Sequence, residues 1–117
     1  MIENFGIGID ISSIEKFKNK SFYENEGFYR KIFSKEEIDY CLKFKNYHEK
    51  FAAKFAIKEA LIKSINQEIE LLKIKTSYLN SKPTVKIDEQ EYNYRFLVSL
   101  SHENELAIAV VVSEEIR

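Results

Sequence analysis

Tyr47-His48-Glu49-Lys50-Phe51-Ala52-Ala53-Lys54-Phe55-Ala56-Ile57-Lys58-Glu59-Ala60-Leu61-Ile62-Lys63-Ser64-Ile65 reads as one helix around which the other segments must arrange themselves. After Phe51 it holds no Gly or Pro and is rich in Ala, Leu, Lys and Glu, which lose little conformational freedom on becoming helical. Placed at about 100° per residue, its apolar side chains occur nearly all round, as expected of a helix buried at the centre of a domain. The charges fall in two clearings. Lys54 and Lys58 share one side, while Glu59 and Lys63 share another with Ala52 and Ala56, whose small side chains leave room above them.

Upstream, Phe5-Gly6-Ile7-Gly8-Ile9-Asp10-Ile11 alternates strictly, which predicts a strand with Phe5, Ile7, Ile9 and Ile11 on one face. The other face is almost bare and ends in a single carboxylate. Glycine within a strand marks close approach of another backbone or of a ligand, and packing against a helix accounts for it equally well. Ser12-Ser13-Ile14-Glu15 fits a capping box with Ser12 as N-cap, opening a helix to about Lys20. Ser34-Lys35-Glu36-Glu37 is a second such box, opening a helix that carries Ile38, Cys41 and Leu42. The aromatic-rich stretch from Phe22 to Phe33, with Gly27 inside it, fixes no element by period.

Downstream the period changes from helical to alternating. Strands are expected over Leu72 to Tyr78, Thr84 to Asp88, Tyr94 to His102 and Leu106 to Ser113. The expected turns hold Ser81-Lys82-Pro83 and His102-Glu103-Asn104-Glu105. Helices early and antiparallel strands late give one α+β domain over residues 1–117, its antiparallel strands packed on the central buried helix.

Composition narrows the function. A chain of 117 residues with 44% apolar content can bury one core. The 18 basic and 19 acidic side chains leave a net charge of −1, which argues against a nucleic-acid binder. Cys41 is the only cysteine and His48 and His102 the only histidines, so neither an internal disulfide nor a structural zinc site is expected. No apolar run approaches the roughly 20 residues that span a bilayer, and the N-terminus carries no basic-then-apolar signal. A cytoplasmic protein is the expectation.

Asp10 and Glu59 stand out because each interrupts apolar or small surroundings. A strand packed on the helix would bring them together as an all-oxygen site suited to Mg²⁺, which uses few carboxylates and completes its shell with water or phosphate. Two separate polar rims, or a Glu59–Lys63 pair one helical turn apart, would also account for them. Lys63, Lys54 and Lys58 would suit a polyanion such as a pyrophosphate, and His102, beside Ser99 and Ser101, would suit a phosphate. Each residue alone is equally at home on a solvated face.

The order Gly6-Ile7-Gly8-Ile9-Asp10-Ile11, then Phe51-Ala52-Ala53-Lys54-Phe55-Ala56-Ile57-Lys58-Glu59-Ala60, then Ser99-Leu100-Ser101-His102, resembles the holo-acyl-carrier-protein synthases. These are the short, single-domain 4′-phosphopantetheinyl transferases. Ile32 to Glu37, Lys82-Pro83 and Ala107 to Val112 extend the resemblance over nearly the whole chain. It implies transfer of the phosphopantetheine arm of coenzyme A to a serine of apo acyl carrier protein, releasing adenosine 3′,5′-bisphosphate, in support of fatty acid biosynthesis. By position, Asp10 and Glu59 would hold Mg²⁺, and Lys63 would contact the transferred phosphate and assist catalysis. Lys54 would lie near the nucleotide and His102 would contact the 3′-phosphate.

The resemblance further implies a homotrimer with each active site shared between neighbouring protomers. The helix bearing Lys16 would dock the acidic carrier protein, with Lys18, Lys20, Arg30 and Lys31 nearby. There are departures: Ser64-Ile65-Asn66-Gln67-Glu68-Ile69 lacks the family's usual glycine-containing turn, and Ser81 replaces the glycine expected before Lys82-Pro83. Glu37 matches a family glutamate, and its capping role suffices to explain it. The two rival functions are a metal-dependent nucleotide pyrophosphate hydrolase using the same carboxylates, and a non-catalytic module that binds coenzyme A or carrier protein.

Overall fold

Strand β1 (Phe5–Ser13) leads directly into helix α1 (Ile14–Asn19), followed by α2 (Glu26–Arg30), α3 (Lys35–Leu42) and the long α4 (Tyr47–Ile65). The hairpin β2 (Ile74–Leu79) and β3 (Lys82–Ile87) and the hairpin β4 (Tyr94–Glu103) and β5 (Leu106–Glu115) complete the chain. The computed structural model describes residues 2–65, 67–88 and 93–116. β1, β5 and β4 form an antiparallel sheet in that order, β2 and β3 pair separately, and both hairpins pack with α3 around α4. This is the α+β arrangement expected, and α4 has the expected bounds. Asn66, within the glycine-poor segment, lies outside the described residues.

The core runs along α4 in two clusters. Its first half packs Phe51, Ala52 and Ala53 against Phe17, Phe22, Tyr29 and Phe33. Tyr29 is wholly buried, and its hydroxyl donates to the carbonyls of Phe17 and Lys20, so an aromatic plug closes the end of the helix below α1. The second half packs Ala56, Ile57, Ala60 and Leu61 against Ile74, Val85, Ala109 and Val111. The aromatic stretch therefore forms a short 3₁₀ turn (Phe22–Glu24) and α2. Contact with the core organises it, with no periodicity of its own.

Four expectations need correction. Ser13, not Ser12, caps α1: its side chain accepts from the Lys16 amide at 3.2 Å, while Ser12 is a buried residue of β1. The strand simply runs two residues further than its greasy alternation shows. The first hairpin turns at Asn80 and Ser81, both left-handed (φ 51° and 68°), which leaves Lys82 and Pro83 inside β3 opposite Leu79 and Tyr78. Ala52 and Ala56 leave no open room: both are fully covered, Ala52 in the core cluster that holds Ala107 and Ala56 in the one that holds Ala109. The second hairpin is also tighter than expected, turning between Glu103 and Leu106.

Candidate active site

Register places the two glycines of β1 against the helix. Gly6, Ser113 and Phe96 share a row, as do Gly8, Val111 and Val98, then Asp10, Ala109 and Leu100, then Ser12, Ala107 and His102. Val111, Ala109, Ala107 and Ser113 are buried, so this face lies on α4. A Cβ on Gly8 would lie well inside 3.0 Å of the Ala60 carbonyl oxygen, and one on Gly6 would meet the Ser64 carbonyl in the same way. Strand and helix thus touch backbone to backbone. That closeness carries the next inward residue, Asp10, to the flank of α4 bearing Glu59 and Lys63.

Lys63 Nζ donates to Asp10 Oδ1 at 3.2 Å and to the Ile9 carbonyl at 2.9 Å. Lys63 therefore reaches across to the strand, not back one turn to Glu59. Burial raises the Glu59 pKa above its ordinary value, the Asp10 carboxylate adds to the rise, and Lys63 partly opposes it. Two carboxylates on one flank, one of them partly desolvated, are groups that a cation would suit. Among the described residues no group of three or more His, Cys, Asp or Glu gathers anywhere. A cation held here would draw two oxygen ligands from the chain and the rest from water or substrate, the donor set that suits Mg²⁺.

The other residues singled out in the sequence lie elsewhere, in two different places. His102 is about one-third exposed, and its Nε2 lies 3.6 Å from Glu49 Oε1 in the first turn of α4. At 1.5 Å rise per residue, Glu49 is about 15 Å along the helix from Glu59. Lys54, only 2% exposed, points away from the carboxylate flank. Its ammonium donates to Thr76 Oγ1 at 2.9 Å and lies over the rings of Tyr40 and Tyr78. Burial lowers its pKa. Lys54, Tyr40, Thr76 and Tyr78 line a cavity of about 560 Å³, with Lys75 and Lys86 also on its walls. Within one chain, then, Asp10, Glu59 and Lys63 meet, and Lys54 and His102 stay apart from them.

Lys58, expected beside Lys54 in a charged clearing, is completely buried. Its Nζ donates to Glu37 Oε1 and the Ile32 carbonyl, both at 2.7 Å, and to the Leu71 carbonyl at 3.1 Å. The other oxygen of Glu37 accepts from the amide and hydroxyl of Thr76, while Oε1 also takes the Ser34 amide of the capping box. Burial alone would raise the Glu37 pKa, but Lys58 and these hydrogen bonds outweigh it and hold the carboxyl below its ordinary range. Glu37 therefore ties α3, α4 and β2 together as well as capping α3. Sequence inspection could have found the signal only by noticing that a helix apolar all round has no solvated side for Lys58.

A family model described as the 4′-phosphopantetheinyl transferase superfamily matches residues 6–111. The chain belongs to that superfamily. Among curated transferases, it is 37% identical to a holo-[acyl-carrier-protein] synthase of Thermodesulfovibrio yellowstonii, over 96% of this chain and 98% of the relative. It is 36% identical to the synthase of Mycoplasma capricolum, over 97% and 96%. Among solved structures, the Helicobacter pylori synthase in complex with coenzyme A superposes with a TM-score of 0.79 at 30% identity, covering 92% of this chain and 99% of that one. The Bacillus anthracis synthase in complex with CoA (3′,5′-ADP) superposes with a TM-score of 0.81 at 27% identity, covering 95% and 96%.

Proposed function

We propose that this chain is a Mg²⁺-dependent holo-acyl-carrier-protein synthase, acting in the cytoplasm in support of fatty acid biosynthesis. It transfers 4′-phosphopantetheine from coenzyme A to a serine of apo acyl carrier protein. The observation that carries the reading is the meeting of Asp10, Glu59 and Lys63 at the β1–α4 contact, in a chain matched over nearly its full length by holo-acyl-carrier-protein synthases. Asp10 and Glu59 would hold Mg²⁺. When bound, the ion would supply charge stabilisation at the pyrophosphate of coenzyme A.

The serine oxygen forms a bond to the β-phosphorus as the bridging P–O bond breaks, releasing adenosine 3′,5′-bisphosphate and one proton. Lys63 sits beside the two acids with an exposed, flexible arm, so its ammonium can meet charge that builds on the phosphate oxygens. Lys54 and the cavity it floors would take the nucleotide end, and His102 the 3′-phosphate. Because these residues lie apart from Asp10 and Glu59 within one chain, their joint use needs a second protomer.

That requirement agrees with the outer face of the three-stranded sheet. Phe5, Ile7, Ile9, Ile11 and Leu97 stand more than half exposed on it, with Ile7 at 69% and Leu97 at 74%. An apolar face of this extent favours burial against other copies, and a homotrimer is the assembly we propose. On the opposite end of β1, Lys16, Lys18 and Lys20 are exposed on or beside α1, a surface suited to an acidic carrier protein. Lys18 is engaged with Glu105 at 3.2 Å.

The test mixes purified protein, coenzyme A, Mg²⁺ and apo carrier protein and weighs the carrier. Transfer adds about 340 Da, the mass of the phosphate-linked arm. An unchanged carrier with adenosine 3′,5′-bisphosphate appearing would indicate hydrolysis. An unchanged carrier with coenzyme A intact would indicate a binding module.

A further inference from the structure

Two carboxylates converge in this structure with one ammonium between strand and helix, and the ammonium sits on Asp10, not on its helical neighbour Glu59. Lys63 Nζ contacts the Ile9 carbonyl oxygen and an oxygen of the Asp10 carboxylate, and the second is one that a metal ion at this place would also seek. Among the described residues it is the sole donor to the Asp10 carboxylate, whose side chain is 17% exposed, while Lys63 itself is 54% exposed. Glu59 has no hydrogen-bond donor among the described residues. One positive charge thus serves two acids and leaves the pair one charge short of neutrality.

Resting on the metal reading above, we propose that Lys63 is the resident counter-ion of the metal-free site. Its ammonium holds the cation position at Asp10 and is released from it when a divalent ion is bound. The charge arithmetic favours the exchange: a doubly charged ion neutralises both acids and leaves the ammonium with no net negative partner, while repelling it at short range. The lysine arm can move, because its stem is flexible and half of the side chain is already in solvent. The freed ammonium is then available to an anionic oxygen of the donor. Metal binding and phosphate binding are thereby coupled through one side chain, and Lys63 meets the donor only after the ion is in place.

The exchange is testable on the intact protein with Mg²⁺ alone. Lys63 is labelled with a trace of an acetylating reagent, and the extent is read by peptide mass spectrometry with and without saturating Mg²⁺, using exposed Lys16 as the internal standard. Mg²⁺ occupancy is followed separately by calorimetry. Release from a half-exposed ion pair should raise Lys63 labelling about twofold to fivefold, with Lys16 unchanged. In Asp10→Asn, Lys63 should label at the higher level from the start and show no response to Mg²⁺. Calorimetric Mg²⁺ binding with constant or reduced Lys63 labelling would overturn the exchange and leave the metal reading standing. No calorimetric binding at all would overturn both.

Discussion

Gly8→Ala places one methyl group where α4 and β1 touch. The added Cβ would lie 2.9 Å from Lys63 Cβ and 2.8 Å from the Ser64 amide nitrogen, and it would overlap the Ala60 carbonyl oxygen. Ordinary contact begins at 3.4 Å. The strand must therefore retreat by about 0.5 Å to clear Lys63 alone, and by more to clear Ala60. Two of the three obstructing atoms are helix backbone, which cannot rotate away, so the retreat separates the elements that bring Asp10 to Glu59 and Lys63. Overpacking of this kind costs about 2–3 kcal/mol, which for a domain of this size lowers the thermal midpoint by roughly 10 °C. A shift of the reacting groups by about 1 Å lowers turnover on the order of 100-fold. Circular dichroism melts give the first quantity. The second is read by mass spectrometry of the carrier at a temperature where the variant is still folded. Gly27→Ala is the control, since a Cβ there meets nothing within 4 Å, and it should be neutral or slightly stabilising in both assays. A Gly8→Ala protein that melts and turns over like the parent would refute the claim that this backbone contact sets the site.

Lys58→Met removes one half of a wholly buried ion pair and should cost about 3–5 kcal/mol in denaturant titrations, because Glu37 is left charged without its partner; the Lys58→Met/Glu37→Gln double variant should recover part of the loss. Glu37 is held below its ordinary carboxyl value of 4.5, so its contribution is present above that pH and is lost as the pH falls through the lower folded value. Glu37→Gln should therefore flatten the acid limb of stability below about pH 4.5, and an unchanged acid profile would contradict the pairing. Ser81→Gly relieves a left-handed serine (φ 68°) in the β2–β3 turn and should stabilise by about 1 kcal/mol, visible as a higher denaturant midpoint. Ile7→Glu sets a charge at the centre of the exposed apolar sheet face and should give a folded monomer by light scattering; a persistent oligomer would remove that face as the subunit contact.

The parts of the architecture legible in sequence are those in which local pattern and tertiary environment ask for the same thing. α4 is helix-forming throughout and apolar all round, so its bounds and its central place follow together. The Ser34 box works because Ser34 and Glu37 satisfy one another within four residues. Gly6 and Gly8 announce a close approach, and of the two readings open, ligand or helix, the structure realises the helix. Where the deciding partner is remote in sequence, the pattern is silent or misleading. Ser12 looks like the cap of α1 until pairing with β5 extends β1 through Ser12 and Ser13. Lys58 looks like a solvated lysine until Glu37, twenty-one residues away, is seen beneath it. Ser81 conceals a turn usually written with glycine, because Asn80 and Ser81 adopt the left-handed conformation regardless. The Asp10–Lys63 bond spans fifty-three residues and depends on two absent side chains.

Asp10 and Glu59 are proposed to share one divalent ion at the β1–α4 contact. Crystals grown with coenzyme A and Mn²⁺ in place of Mg²⁺ test it through anomalous diffraction. A single strong peak is expected, bonded to one oxygen of each carboxylate at roughly 2.1 Å, the distance of an octahedral oxygen site, with phosphate and water oxygens completing the shell. A peak held by only one of the two acids, or bound elsewhere on the coenzyme with both acids free, would contradict it.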